Sequence, residues 1–376
     1  MKPLKIDQIT YDKDGSPVLL ENKPLDIPQV SEEEFTKRLH EISRTFKVIR
    51  DFKTGRAFEI AIVNEGELKN GAILMPSTMY SSLTQNIGNA IELAAQGAAA
   101  PNVARVYIAF PGNGGSDNLS RKDRHYLADT GRFTKDGEAL ESVLALVRAL
   151  RAAGVNYNEI PIMISADMEA GRLGLGIIAA MPPDTVTSAY FHDLPGISPT
   201  VGAPYMTVMF EAQQQTQREG LKDDPDEPYR VNDRTKEEAK FFLSDIYPKM
   251  FPDISEGMKY RTRFLSTYLR ALPNMRAYIR AFSQHNDLLV PERHAVLQDT
   301  LTALQRQKKI KITFHFGQDC SLNSILECRN FGPKIAEELS KTANQGNIRL
   351  FIYPGPCYFH TNNPSNRWAL EKDALH

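Results

Sequence analysis

The sequence predicts an α/β protein: a mainly parallel sheet flanked by helices, with a helical cap insertion. From Gly71 onward short apolar runs alternate with helical patterns, the signature of βαβ units. A single long interval, between Pro195 and about Leu289, breaks that rhythm and offers only helical stretches. Composition agrees: 376 residues, 41% hydrophobic and 24% charged, suffice for a sizeable core and exclude disorder as the main state.

The elements follow in order. Residues 1–30 are rich in Pro and charge without clear periodicity. Ser31-Glu32-Glu33-Glu34 then opens a helix with a capping-box arrangement, so residues 1–45 read as an N-terminal arm and helix. Lys47–Phe52 and Ala57–Val63 are strand runs joined by a turn at Lys53-Thr54-Gly55-Arg56. The apolar runs Ala72–Met75, Ala104–Phe110, Ile160–Ile164, Val186–Phe191, Ile310–Phe316 and Ile348–Tyr353 are buried-strand patterns. Helical patterns fall at about Gln85–Gln96, Gly137–Ala153, Glu169–Ala180 and Pro333–Thr342. The resulting division is a core of residues 46–194 and 291–376, with residues 195–290 as a helical cap that contains the acidic loop Lys222-Asp223-Asp224-Pro225-Asp226-Glu227.

Charge and cysteine usage narrow the function. Lys+Arg number 45 against 46 Asp+Glu, a net charge of −1, and the densest basic cluster is the short Gln307–Lys311 stretch. A nucleic-acid partner is therefore not expected. Cysteines at 320, 328 and 357 form neither a disulfide framework nor a paired metal-ligand spacing, so no metal or other cofactor is expected. The first residues lack the apolar core of a secretory signal, and no eighteen-residue apolar stretch occurs. The expectation is a soluble, cytoplasmic protein without a membrane span, although export without a cleaved signal would leave no mark in the sequence.

Particular segments carry a resemblance. Arg105-Val106-Tyr107-Ile108-Ala109-Phe110-Pro111-Gly112-Asn113-Gly114-Gly115-Ser116-Asp117 resembles the D-x-P-G-x-G-x-S segment that follows the fourth strand of α/β-hydrolases. Its glycines suit either a structural turn or a phosphate cradle, and their spacing fits neither common phosphate-loop pattern. Ile160–Gly171 runs from a buried strand into a helix, where this fold superfamily keeps its nucleophile elbow, G-x-S-x-G. Aligned on Ser165-Ala166-Asp167-Met168-Glu169, Asp167 takes the nucleophile position, and branches of the superfamily use a carboxylate there. Asp167 is equally a helix N-cap candidate. Glu169 sets a second carboxylate within a turn of it.

Lys311–Cys320 resembles the seventh strand and its G-x-x-D turn, which makes Asp319 the acid by position; His192-Asp193, closing an earlier run, offers Asp193 as the alternative. Ile348–Pro364 resembles the segment that bears the family histidine, but Tyr358 stands in its place and His360 two residues on is the displaced candidate base. A phenol is a poor base at neutral pH. The third-strand segment Leu74-Met75-Pro76-Ser77-Thr78 lacks the usual H-G pair, so backbone N–H groups of Thr78 and Met168 are the oxyanion candidates. Cys320, Cys357 and the aromatic residues Tyr260, Phe264, Tyr268 and Tyr278 read as packing.

The resemblance covers about residues 57–375 and implies a divergent α/β-hydrolase-fold protein. If active, it would hydrolyse a small, largely apolar ester, epoxide or halide held beneath the cap, with Asp167 as nucleophile, Asp319 as acid and His360 as base. The alternative is a catalytically degenerate member that binds a small molecule or a protein partner.

Overall fold

The computed structural model describes residues 5–11, 17–24, 33, 46–77, 103–197, 285–317, 323, 325–342 and 347–353. The strands are β1 (Lys5–Tyr11), β2 (Pro17–Pro24), β3 (Lys47–Arg50), β4 (Ala57–Val63), β5 (Ala72–Pro76), β6 (Ala104–Ile108), β7 (Thr134–Lys135), β8 (Glu138–Ala139), β9 (Ile162–Asp167), β10 (Val186–His192), β11 (Lys311–Gly317) and β12 (Asn347–Tyr353). The helices are α1 (Arg121–Thr130), α2 (Glu141–Ala152), α3 (Glu169–Ala180), α4 (Ala295–Arg306) and α5 (Ile325–Ser340).

Eight strands form the central sheet in the order β12-β11-β10-β9-β5-β6-β4-β3. Those from β5 to β12 pair in parallel, while β4 runs antiparallel to both β6 and β3. The α/β prediction is met because each of these runs is bounded by turn residues and too apolar to lie in solvent. The N-terminal arm differs from expectation. β1 and β2 form an antiparallel hairpin, with β1 beside β12. Of the helix expected from Ser31, residue 33 is helical and its neighbours lie outside the described residues, as do the Gln85–Gln96 pattern and residues 198–284 of the insertion.

The two faces of the sheet differ in chemistry. Ile164 and Ala166 on β9, Phe191 on β10 and Phe314 on β11 point to the helices: Gly174 of α3 approaches Phe191 and Ile164, and Phe331 of α5 meets Phe314 edge-on at 5.3 Å. On the other face the register places Ser165, Tyr190 and Thr313 in one row and Asp167, His192 and His315 in the next, at the C-terminal end of the sheet. All six are buried. A doubly covered parallel sheet normally carries apolar side chains on both faces, so this polar strip marks the edge where α/β folds place their ligands.

Both roots of the insertion are tied to the start of α4. His294 Nε2 donates to the Ile197 carbonyl at 2.9 Å, and Ala295 N–H donates to the His285 carbonyl at 2.8 Å. Asn323 holds the same root from α5's side, accepting from Ile197 N–H at 3.0 Å and donating to the Leu194 carbonyl at 2.8 Å.

Candidate active site at the strand–helix corner

β9 ends at Asp167 and α3 begins at Glu169, so one residue, Met168, makes the corner. Its backbone is at φ 50°, ψ −131°, a left-handed conformation that a non-glycine residue adopts under strain. This corrects the alignment: the tip is Met168, one residue later than the register read from the sequence. The flanking small residues are then Ala166 and Ala170, which let strand and helix approach, whereas Ser165 belongs to the polar face of the sheet. A thioether has no nucleophilic oxygen or thiolate to offer at that tip, and the Met168 side chain is buried.

Asp167 is neither the tip nor the cap. The N-cap residue of α3 is Met168, with no side-chain capping bond. As the last residue of β9, Asp167 instead faces its partner on β10: Oδ1 lies 3.7 Å from Nδ1 of His192. The other ring nitrogen of His192 lies 3.2 Å from Oδ2 of Asp193. Asp193 is itself fixed, since its Oδ1 accepts from Gly317 N–H at 2.8 Å and its own N–H donates to the His315 carbonyl at 2.8 Å. It too sits at positive φ, 49°. Of these three side chains, those of His192 and Asp193 are wholly buried and that of Asp167 retains 8% exposure. Tyr190 stacks parallel to His192 at 6.3 Å and meets His315 edge-on at 4.9 Å.

The backbone donors also depart from expectation. Met168 N–H donates to the His192 carbonyl at 2.7 Å, so it is committed to the sheet edge and does not face a reacting oxygen. With the tip at Met168, the next backbone N–H belongs to Glu169. Its buried carboxylate occupies the first turn of α3, where the helix dipole favours a negative charge.

The glycine-rich turn after β6 is closed by its own chain. Gly112 N–H bonds to the Asp117 carbonyl, Ser116 N–H to that of Asn113, and Gly115 N–H to the Glu59 carboxylate. A Cβ on Gly114, at φ 53°, would fall on that same carboxylate. This is the structural turn of the two readings, because an internal carboxylate already takes an amide that a phosphate would need.

Thr78, Asp319, Tyr358, His360, Cys320 and Cys357 lie outside the described residues. Cys328, on α5, is buried, and burial pushes its thiol well above the ordinary range, with Asp193 adding to the shift. Among the described residues no group of three or more His, Cys, Asp or Glu is placed to hold a metal ion, and no helix is long and apolar enough to cross a membrane.

Sequence reasoning missed the position of His192 between Asp167 and Asp193. The His192-Asp193 pair at the end of a strand adjacent to the elbow strand was the available signal. The corner's register was legible in the alanines two residues to either side of Met168.

No family model and no curated protein matches the sequence. Solved structures do match in fold. MGS-M2, an α/β hydrolase enzyme from a Medee basin deep-sea metagenome library, is 11% identical with a TM-score of 0.50, covering 87% of this chain and 97% of its own. A hydrolase from Pseudomonas aeruginosa PA01 is 14% identical with a TM-score of 0.50, covering 88% and 98%. The esterase EaEST from Exiguobacterium antarcticum is 12% identical with a TM-score of 0.50, covering 88% and 99%. The chain has the α/β-hydrolase fold; identities this low speak for the fold alone.

Proposed function

We propose that this chain is a hydrolase acting on a small, largely apolar ester, epoxide or halide at the C-terminal edge of the sheet, with Asp167 as the attacking carboxylate. The observation that carries this reading is the line Asp167–His192–Asp193 across the ends of β9 and β10, in which Asp167 alone keeps side-chain exposure. On a halide or epoxide a carboxylate oxygen attacks the sp3 carbon, expelling halide or opening the ring to an alkoxide that takes up a proton, and gives an alkyl ester on Asp167. On an ester it attacks the carbonyl carbon, releasing the alcohol and giving a mixed anhydride; water then hydrolyses either intermediate and restores the carboxylate. Asp319 and His360 are the acid and base for the second step. Hydrolases and an esterase among the fold neighbours are in keeping with this reading.

The test is a panel of p-nitrophenyl esters, epoxides and haloalkanes assayed with wild type and Asp167→Asn. Turnover by wild type and its loss in the variant are expected, because an amide is a far poorer nucleophile. Equal turnover by both removes Asp167 from the mechanism.

A second reading is favoured by a specific observation, Met168 at the tip. On this reading the fold has lost its nucleophile and binds a small molecule or a protein partner without turnover. A panel with no turnover, in which one of the same compounds raises the melting temperature, selects binding over hydrolysis.

A further inference from the structure

Two non-glycine residues at the ends of neighbouring strands hold left-handed backbone, Met168 after β9 and Asp193 after β10. Each such residue is strained and persists where the surroundings over-determine it, which is commonest at functional sites. Between them lies the buried ring of His192, with one carboxylate toward each nitrogen. Ionisable groups removed from water this completely are expensive, and an apolar ring would fill the same volume at lower cost. Packing alone therefore does not account for the trio.

We infer that His192 is a positioning residue for the Asp167 carboxylate and is itself oriented by Asp193; the inference rests on the carboxylate reading above. Orientation starts at the end of β11, where Gly317 N–H and the His315 carbonyl fix Asp193. Asp193 fixes the imidazole through Nε2, and the imidazole presents Nδ1 to Oδ1 of Asp167. This holds the carboxylate against rotation, so that Oδ2 is the oxygen turned to the substrate. At 3.7 Å the last contact is longer than a hydrogen bond, as unliganded catalytic contacts often are. His192 thus sits on the rigid sheet edge, a role distinct from that of a base such as His360.

The two amide replacements separate the contacts. In His192→Asn the side-chain nitrogen falls near the place of Nδ1 and keeps the contact with Asp167; in His192→Gln it falls near Nε2 and keeps only that with Asp193. On any panel compound that wild type turns over, kcat is expected to fall about tenfold in His192→Asn and about a hundredfold in His192→Gln, with KM little changed, because misplacing a reacting group by about 1 Å costs that much. Equal losses, a change in KM alone or no loss overturns the inference and leaves the role of Asp167 standing.

A second readout does not need turnover. With 15N-labelled histidine, Asp167→Asn is expected to move the Nδ1 resonance of His192, and Asp193→Asn the Nε2 resonance. A wild type silent on every compound overturns the carboxylate reading, and the ring resonances then decide the inference by themselves. A shifted Nδ1 upholds His192 as the residue that orients Asp167; an unmoved Nδ1 overturns it.

Discussion

His294 shows how much a single side chain can hold when both of its ring nitrogens are used. Nδ1 accepts from Leu297 N–H at 3.0 Å and so caps α4, while Nε2 donates to the Ile197 carbonyl. Only the neutral ring, protonated at Nε2, makes both bonds. Burial, the largest cause, pulls its pKa from 6.5 down to about 4. The folded state therefore binds this proton less readily than the unfolded chain does. The contribution is full above pH 6.5 and is lost as the pH falls from there through about 4. A shift of that size corresponds to about 3 kcal/mol. Urea unfolding across this window is expected to show a steeper loss of stability for wild type than for His294→Gln, which is weaker at neutral pH but lacks the titration. Parallel curves would mean that the ring does not carry the acid sensitivity.

At the Met168 corner, by contrast, backbone geometry and not a side chain decides the structure. A pentapeptide alignment weighs residue types, and Asp167 carries the reactive side chain of the segment. Backbone geometry does not follow side-chain chemistry: the chain turns where strand pairing ends, after the His192↔Asp167 pair. Small residues at 166 and 170 were the physical signal, since they permit the close passage of strand and helix, and they outweigh the identity of the tip.

At the scale of elements, the strands were legible because burial on a central sheet demands apolar runs, and β9 to β12 fall where those runs lie. The helix α1 was not, because it is largely polar, burying only Asp123, Leu127 and Ala128; Ser120 at its N-cap and Gly131 at its C-cap define it instead. The helix α5 was read as starting at Pro333, the usual place for a proline, yet it runs on through that residue from Ile325. α4 falls just after the interval assigned to the insertion, in the segment 291–376 assigned to the core, and no helical pattern is read from the sequence at Ala295–Arg306.

How tightly these elements interlock can be measured on α3. Its Gly176 passes so close to the turn before β7 that a Cβ there would lie 2.9 Å from the Cβ of Phe133. Phe133 cannot yield easily, because its N–H and the Thr134 N–H both donate to the buried Asp299 carboxylate of α4, at 2.9 and 3.1 Å. Gly176→Ala is therefore expected to destabilise by about 1–2 kcal/mol, overpacking outweighing the gain of about 1 kcal/mol in helix propensity. Gly66→Ala, where nothing lies within 4 Å, is expected to stay within about 0.5 kcal/mol of wild type. Urea midpoints of the two variants make the comparison, and equal midpoints would show that the α3 interface has slack.

For the whole molecule, the main question is whether residues 198–284 are a unit added to a sheet that stands without them. The roots argue that they are. Ile197 and His285 are bound by consecutive residues, His294 and Ala295, so the chain leaves and re-enters the core at one place. Insertions that begin and end together disturb the remainder little, because closing a longer loop costs only slowly increasing entropy. Arg172 reinforces the root from α3, donating to the Pro195 carbonyl at 3.4 Å and to that of Gly131, and Asn323 holds it from the other side. None of these bonds uses a residue from 198 to 284. Replacing that interval by a short Gly/Ser linker is accordingly expected to leave a protein that unfolds in one cooperative transition, while turnover or ligand-induced stabilisation is lost if the interval is the cap that the sequence leads one to expect. Thermal melts and the substrate panel on the shortened chain check both halves. A shortened chain that fails to fold would show that the interval is part of the core, and that the bonds at the roots are a consequence of its packing.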